Sequence, residues 1–220
     1  MKKIFLSVLA IAAMATTANA QLWLGGSLGF RHSDGASKTS DTNHKTSGSS
    51  AFTFAPIVGF DLNEQLSIGG KLNLIMTSQK DYSYDINDKE SELKTSGSGV
   101  GAIPFARYKF IEFNKFGVVA EAGLPISYTS SKTDNGSNTI KGNPQTNLGL
   151  YMNPILTYNL NDNFQLECGL NFLSLNASHT VTKDRDDSKK KTVSNNFRFG
   201  ANTNNVVNVG DITIGFIYKL

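Results

Sequence analysis

Apolar and polar residues alternate with a period of two along four closely similar segments of the chain. The segments read PIVGFDL, PFARYKF, PILTYNL and IGFIYKL, and they occupy residues 56–62, 104–110, 154–160 and 214–220. Each segment has apolar residues at its first, third, fifth and seventh positions, with Tyr or Phe at the fifth. A period of two is the signature of a β-strand with two different faces, whereas a helix requires apolar residues three and four apart.

Four further alternating segments lie between these copies and resemble one another. They read LWLGGSLGF, LSIGGKLNL, FGVVAEAGL and FQLECGLNF, and they begin at Leu22, Leu66, Phe116 and Phe164. Their even-numbered residues are mostly apolar, and their odd-numbered residues are mostly small or polar. Together the two sets predict eight strands, at residues 22–32, 51–62, 66–76, 99–110, 116–128, 148–160, 164–175 and 206–220.

Short and long connections alternate between the predicted strands. The short ones are residues 63–65, 111–115 and 161–163, and the long polar ones are residues 33–50, 77–98, 129–147 and 176–205. Turns at one end and long polar loops at the other are typical of an up-and-down barrel in the bacterial outer membrane, and strands of about 9–11 residues suffice to cross it. The sequence therefore predicts an all-β fold, an eight-stranded antiparallel up-and-down transmembrane β-barrel.

The first twenty residues have the pattern of a secretory signal peptide, cleaved after Ala20. Lys2 and Lys3 form a basic start, an apolar stretch follows, and Ala18-Asn19-Ala20 is a small-residue cleavage site. The predicted domains are thus the signal peptide, 1–20, and the outer-membrane β-barrel domain, 21–220. Without the two lysines, 19 basic residues face 18 acidic ones, a net charge of +1 that gives no indication of a nucleic-acid partner.

Charged residues decide which face of the strands meets lipid. A soluble ligand-binding barrel, secreted to the medium, would also alternate, with its apolar face inside. Here the odd face carries Lys71, Arg107, Glu121 and Glu167 in mid-strand, while the even face is free of charge there. A Lys or Arg at the bilayer midplane costs about 2–4 kcal/mol, which places the even face in lipid. An eight-stranded lumen is only wide enough for side chains, so these four residues are predicted to form a salt-bridge network that plugs it. If Phe110 faces Phe116, Arg107 and Glu121 lie two residues apart on a diagonal.

Aromatic residues on the even face cluster at the strand ends, as in the girdles of membrane barrels. The predicted periplasmic girdle comprises Phe60, Tyr108, Phe110, Phe116, Tyr158, Phe164 and Tyr218.

Pro56, Pro104 and Pro154 recur at equivalent places inside strands. Because proline lacks the donor for the ladder, a bulge or a missing bond is expected at that level.

On these segments and on its terminal strand the chain resembles the small bacterial outer-membrane β-barrel family, represented by the transmembrane domain of outer-membrane protein A and by outer-membrane protein X. Its strands and loop composition look like those of Bacteroidetes proteins. The resemblance covers residues 21–220 and implies insertion by the barrel-assembly machinery, which reads an aromatic signal on the last strand. Here the matching residues are Phe216, Tyr218 and Leu220, where the family usually ends in Phe. Outer-membrane lipids and lipopolysaccharide are the implied surroundings.

The expected role is non-enzymatic: a membrane-structural or adhesion protein of the cell surface whose loops 33–50, 77–98, 129–147 and 176–205 contact a host or surface ligand. Two alternatives stay open, a narrow ion-conducting porin-like barrel and a lipid A-modifying barrel enzyme. The histidines, His32, His44 and His179, lie at or beyond the extracellular strand ends, but adjacency to Ser33 or Ser178 does not make the serine–histidine–acid geometry of a hydrolase. No catalytic, metal or cofactor residue is assigned.

Overall fold

The computed structural model describes residues 21–38, 43–84, 90–136, 138–170, 173–185, 187, 189–201 and 212–220. The predicted signal peptide lies outside the described residues. Within the described ranges every regular element is a β-strand, and no helix there has the length and apolarity needed to cross a membrane. The strands are β1 (Gln21–Lys38), β2 (Asn43–Asp61), β3 (Leu66–Tyr84), β4 (Glu90–Phe113), β5 (Phe116–Gly123), β6 (Ile126–Asp134), β7 (Thr139–Lys141), β8 (Gln145–Asn159), β9 (Phe164–Leu170), β10 (Leu173–Lys183), β11 (Lys191–Ala201) and β12 (Ile212–Lys219).

The strands close into an antiparallel ring with eight positions. Each position is occupied by one long strand or by two shorter strands end to end, and we call each position a stave. β1 to β4 pair in sequence and form the first four staves. We call the end of the barrel with the short turns its lower end. β5 and β6 form the lower and upper halves of the fifth stave, and β8 is the sixth. β9 and β10 both pair with β8 and form the seventh stave. β12 pairs with β9 and β1, which closes the ring, while β11 pairs with β10 above it. The predicted eight-stranded antiparallel up-and-down barrel is confirmed.

The two faces of the wall differ as the alternation predicts. Even-numbered apolar residues point outward, and Leu28 and Leu72 are 53% and 57% exposed. Odd-numbered residues point into the lumen, where Trp23 and Glu121 are 2% and 1% exposed. An apolar surface wrapped around a charged interior is stable in hydrocarbon and unfavourable in water, which is the arrangement of a transmembrane barrel.

The four segments predicted as long loops are instead mainly strand, so that prediction is wrong. β1 and β2 pair up to Lys38 and Asn43, and β3 and β4 pair up to Tyr84 and Glu90. The β10–β11 hairpin likewise extends to the pairing of Lys183 with Lys191. Thr, Val and Tyr in these segments suit strands, and each arm satisfies the backbone groups of its neighbour. Polar composition therefore does not mark where the sheet ends.

Each in-strand proline lies beside an interruption of the ladder. At Pro56 the β2–β3 pairing lapses for two residues. Opposite Pro104, β5 gives way to β6 at Leu124–Pro125. Beside Pro154, the partner of β8 changes from β9 to β10. A proline nitrogen has no hydrogen to donate, so placing it at a break leaves no partner unsatisfied.

The alternation changes phase along the seventh stave. Up to Leu170 the even residues point outward, but in β10 Ser174 is buried inside and Leu175 pairs with the outward Met152. The predicted strand 164–175 therefore does not keep one phase to its end. In β11 the outward positions are consequently odd, and Phe197 and Phe199 are exposed on the exterior.

Candidate functional site

Four charged residues of the odd face meet in the middle of the lumen, one from each of four staves. Lys71 comes from β3, Arg107 from β4, Glu121 from β5 and Glu167 from β9. We call this group the lumen cluster. It is electrically balanced, with two cations and two carboxylates, and all of it is buried or largely buried.

Arg107 and Glu121 are direct cross-strand partners. The sequence predicted a diagonal offset of two residues, on the assumption that Phe110 faces Phe116, and that assumption is wrong. The ladder shifts between Lys109 and Ile111, so that Phe110 is bulged and Phe113 pairs with Phe116. A bulge inserts one unpaired residue into a strand and moves every later pairing.

The guanidinium of Arg107 organises the cluster. Its Nε donates to Glu121 Oε2 at 2.8 Å, and its Nη1 and Nη2 donate to Glu167 Oε1 and Oε2 at 2.7 and 3.1 Å. The second pair is a bidentate fork, the strongest geometry for a charge-assisted hydrogen bond. Glu121 Oε1 accepts from Lys71 Nζ and from the Tyr151 hydroxyl. Both carboxylates thus have donors on both oxygens, as buried charges require.

Two aromatic rings clamp Arg107. Its Cζ lies 4.9 Å from the ring centre of Trp23 and 5.0 Å from that of Phe105, both within cation–π range. The indole Nε1 donates to Asp61 Oδ1 at 2.9 Å, which fixes the plane of the ring. Trp23 and Phe105 are themselves part of the buried apolar cluster of the lumen. The cation is therefore held by charge and by aromatic contact together.

Glycines across the ladder make room for these rings. Trp23 is the partner of Gly59, where an added Cβ would lie 2.1 Å from the indole. Phe105 is the partner of Gly69, where an added Cβ would lie 2.5 Å from the phenyl ring. Each ring thus occupies space that a side chain at the opposite residue would need, which lets two large rings fit inside an eight-stranded lumen.

The lumen cluster separates two cavities. The lower one, about 440 Å³, opens among Gln21, Asp61 and the residues of the short turn that follows β2. The upper one, about 310 Å³, is lined by polar residues such as Ser27 and Thr53 and by Lys71. Arg107 and Glu167 line both cavities, so their bidentate pair is the partition between them.

Sequence reasoning missed three members of this site. Trp23, Phe105 and Tyr151 are aromatic residues at odd positions, on the face otherwise filled by small and polar residues. Their position was the available signal, because a large ring on the lumen face has to occupy the channel. Tyr151 also supplies a hydroxyl that satisfies a carboxylate oxygen of Glu121.

The predicted girdle residues all lie on the exterior, at the strand ends beside the short turns. Several are in ring contact: Tyr108 with Phe110 at 5.0 Å between ring centres, and Phe116 with Tyr158 at 4.8 Å. Phe60 and Phe164 are partly exposed on the same face. On the last strand, the proposed assembly-signal residues Phe216, Tyr218 and Leu220 are exposed on the exterior.

The histidines do not assemble a hydrolytic site. His32 Nε2 and Asp34 Oδ2 are 2.8 Å apart, but Ser33 between them points to the opposite face. His179 Nδ1 contacts Asn195 Oδ1 at 2.8 Å, and the same alternation turns Ser178 away from it. His44 lies in ring contact with Tyr84. No group of three or more His, Cys, Asp or Glu residues suited to a metal occurs within the described ranges.

No protein-family profile and no curated protein matches the chain. Among solved structures it is similar to Neisserial surface protein A, at 14% identity over 91% of this chain and 99% of that one, with a TM-score of 0.36. It is similar to a major outer membrane protein from Thermus thermophilus, at 14% identity over 91% and 99%, with a TM-score of 0.46. A third is Ail, the attachment invasion locus protein of Yersinia pestis, at 12% identity over 91% and 97%, with a TM-score of 0.28. At these values no role is transferred from them. By its own geometry the chain has the fold of a small outer-membrane β-barrel.

Proposed function

We propose that this chain is a non-enzymatic barrel of the bacterial outer membrane that holds its protruding hairpins rigidly for contact with other surfaces. The observation that carries the proposal is the unbroken ladder between β3 and β4, from Leu66–Tyr108 in the wall to Tyr84–Glu90 at the tip. Eight residues of β3 follow Met76, the last non-aromatic apolar residue of its exterior. At about 3.4 Å per residue and a tilt of about 40°, that arm reaches about 20 Å beyond the apolar belt.

Membrane location follows from the exterior. Large apolar residues are exposed on every stave, in a continuous band far larger than the few hundred Å² that soluble proteins expose. The pairing of β12 with β1 and with β9 closes the ring at the level of residues 23–28, so no sheet edge is left there, as hydrocarbon demands. Export through the predicted signal peptide and insertion by the barrel-assembly machinery complete this account.

The lumen cluster supports a scaffold role. A balanced, hydrogen-bonded set of charges clamped by Trp23 and Phe105 lies across the channel and links β4 to its neighbour β5 and, across the lumen, to β9. A rigid wall is what holds exposed hairpins in one arrangement, and preorganised surfaces bind partners at lower entropic cost.

An adhesion assay with a shortened hairpin tests the proposal. Residues 80–94 are replaced by Asn-Gly, which favours a two-residue hairpin turn between Gln79 and Thr95. Cells expressing the native chain should adhere to host-cell monolayers or immobilised matrix, and the shortened variant should adhere at least fivefold less while remaining a folded, heat-modifiable barrel. The control changes Glu64→Gln and Lys115→Gln at the opposite mouth and should adhere like the native chain. Native cells that adhere no better than cells without the protein would show that the proposed role is wrong.

A second candidate is a narrow ion conduit, favoured by the observation that one bidentate pair separates two cavities. Planar-bilayer recordings distinguish the two roles. The scaffold predicts no stable openings for the native barrel and openings only when Arg107→Ala removes the partition. Stable openings of the native barrel that change on Glu167→Gln would establish the conduit instead.

The lipid A-modifying enzyme is disfavoured by the opposed orientations of Ser178 and His179. Mass spectra of lipid A from cells with and without the chain should be identical. A mass change that His179→Ala abolishes would reinstate the enzyme.

A further inference from the structure

The exterior of the barrel carries three cations together above the apolar band, and we call them the basic cluster. Lys132 on β6 and Lys141 on β7 are direct cross-strand partners. Arg185, which follows β10, reaches the same place: its Nη2 donates to Gly142 O at 3.2 Å and its backbone N–H donates to Asn143 Oδ1 at 3.0 Å. All three side chains are exposed and line one shallow cavity of about 300 Å³.

This arrangement is unfavourable without an anion. Like charges directly opposite on neighbouring strands destabilise the pairing. Among the described residues, no carboxylate lies in ion-pair contact with Lys132, Lys141 or Arg185. Asp134 accepts from the Gly136 N–H at 2.8 Å, Asp184 from the Asp187 N–H at 3.1 Å and Asp187 from the Lys189 N–H at 3.1 Å, and none of these three carboxylates is in ion-pair contact with the three cations. The backbone contacts of Arg185 nevertheless hold the third cation beside the two lysines.

The register gives the height of the basic cluster. Val100 and Tyr128 are cross-strand partners, and they form the last apolar row on the exterior of β4 and β6, at 52% and 51% exposure. The next outward rows are Ser98 with Ser130 and then Ser96 with Lys132. Four residues separate Tyr128 from Lys132, which at about 3.4 Å per residue and a tilt of about 40° is a rise of about 10 Å.

That rise places the cluster at the lipid headgroups. The polar layer on each side of the hydrocarbon is about 5–8 Å thick, and the long stems of Lys and Arg bring their charges down to it. The hydroxyls of Ser98 and Ser130 in the one intervening row, and that of Ser96 opposite Lys132, are small hydrogen-bonding groups that leave space for a bulky headgroup.

We propose that Lys132, Lys141 and Arg185 bind the phosphate groups of a phosphorylated lipid in the outer leaflet. The proposal rests on the membrane location argued above and adds to it a specific lipid site. A lipid is favoured over a free anion because apolar residues lie directly below: Ile126 and its partner Leu148 are both exposed there, where acyl chains would lie against them. Each cation near an anionic lipid surface is worth about a fivefold change in affinity.

The test measures lipid binding to the full chain, refolded in a neutral maltoside detergent, by native mass spectrometry and by titration. The probe is bis-phosphorylated lipid A, compared with the same lipid after removal of both phosphates and with inorganic phosphate as competitor. The triple variant Lys132→Gln, Lys141→Gln, Arg185→Gln should bind the phosphorylated lipid about 100-fold more weakly. A matched variant, Lys38→Gln, Lys45→Gln and Lys115→Gln, loses the same charge at exposed positions elsewhere and should stay within threefold of the native chain.

Three results would overturn the proposal: a triple variant within threefold of the native affinity, equal binding of the dephosphorylated lipid, or complete competition by millimolar inorganic phosphate. Heat-modifiable mobility on gels verifies folding, and Lys141→Gln alone should still weaken binding about fivefold if the triple variant fails to fold. A separate experiment tests the membrane location. Extraction of the native chain from vesicles by alkaline carbonate would refute that location. A barrel that stays in the vesicles, with a triple variant of unchanged lipid affinity, would refute the lipid site alone.

Discussion

Removing the guanidinium of Arg107 should strongly destabilise the barrel. The side chain is 5% exposed and makes three charge-assisted hydrogen bonds to Glu121 and Glu167. Three such bonds, at about 1.5–3 kcal/mol each, would together contribute about 4.5–9 kcal/mol if they were additive, which is an upper limit. Removing one partner of a buried ion pair typically costs about 3–5 kcal/mol, because the other charge stays buried without compensation. Relaxation and water entry favour the lower range, so we expect about 4 kcal/mol for Arg107→Met.

A double-mutant cycle separates the pair from its surroundings. Glu167→Gln keeps the Glu121 contact and should cost about 2 kcal/mol. The double variant should cost about 4 kcal/mol, not the roughly 6 kcal/mol that additivity gives, which is a coupling of about 2 kcal/mol. The exposed pair Lys109–Glu112, 2.7 Å apart, provides the control cycle. Its coupling should stay below about 1 kcal/mol.

The assay is equilibrium urea unfolding in thin phosphocholine vesicles at pH 8. Fluorescence of Trp23, the single tryptophan, reports the lumen directly. Electrophoretic heat-modifiability serves as a second probe, because Trp23 touches the mutated side chain. Single variants that each cost less than about 1 kcal/mol, or a double variant that equals their sum within about 0.5 kcal/mol, would refute the reasoning.

Two further predictions concern other parts of the barrel. Gly59→Val should lower the free energy of unfolding by about 1–3 kcal/mol through overpacking and should red-shift the Trp23 fluorescence, since the added Cβ would overlap the indole. Gly70→Val, whose Cβ meets nothing within 4 Å, should do neither. Equal effects of the two substitutions would contradict the packing of Trp23 over Gly59. In the β3–β4 hairpin, the hydrogen bond to Glu92 raises the pKa of Lys80 above 10.5. The stabilisation that this hydrogen bond gives to the folded hairpin is therefore complete below pH 10.5 and is lost as the pH rises through the raised pKa of Lys80. Carbon-13 titration of labelled lysines should show the pKa falling toward 10.5 in Glu92→Gln, and an unchanged value would show that the pair does not form in solution.

The architecture follows from the sequence because one physical rule acts along the whole wall. In a strand every second side chain faces lipid, and a charge there is costly, so apolar alternation fixes both the strand and its orientation. Lys71 and Leu72 illustrate this, as neighbours on β3 that point to the lumen and to the exterior. The same rule placed the four charges on the lumen face, where an eight-stranded barrel has no space to keep them apart.

Features that change the phase of the alternation were not predictable. The bulge at Phe110 shifts the β4–β5 register without interrupting the apolar pattern, because an added aromatic residue near the interface is acceptable on either side. The phase change that precedes β10 likewise places Phe197 and Phe199 outward, in a segment whose polar composition indicated a loop. The ends of the sheet also depend on cross-strand pairing beyond the apolar band. There water can hydrogen-bond to an unpaired backbone, so polar composition does not distinguish a strand from a loop.

The central claim is that, from β1 to β9 and in β12, hydrocarbon surrounds the even-numbered side chains and the odd-numbered ones line a polar lumen. Nitroxide labels at single cysteines, introduced in a Cys168→Ser background, test it most directly in reconstituted vesicles. Labels at Leu28 and Leu72 should be relaxed strongly by molecular oxygen and hardly by a water-soluble nickel chelate. Labels at Ser27 and Thr53, which line the upper cavity, should show low oxygen accessibility. The reverse order, with the nickel chelate reaching Leu28 and Leu72, would contradict the account.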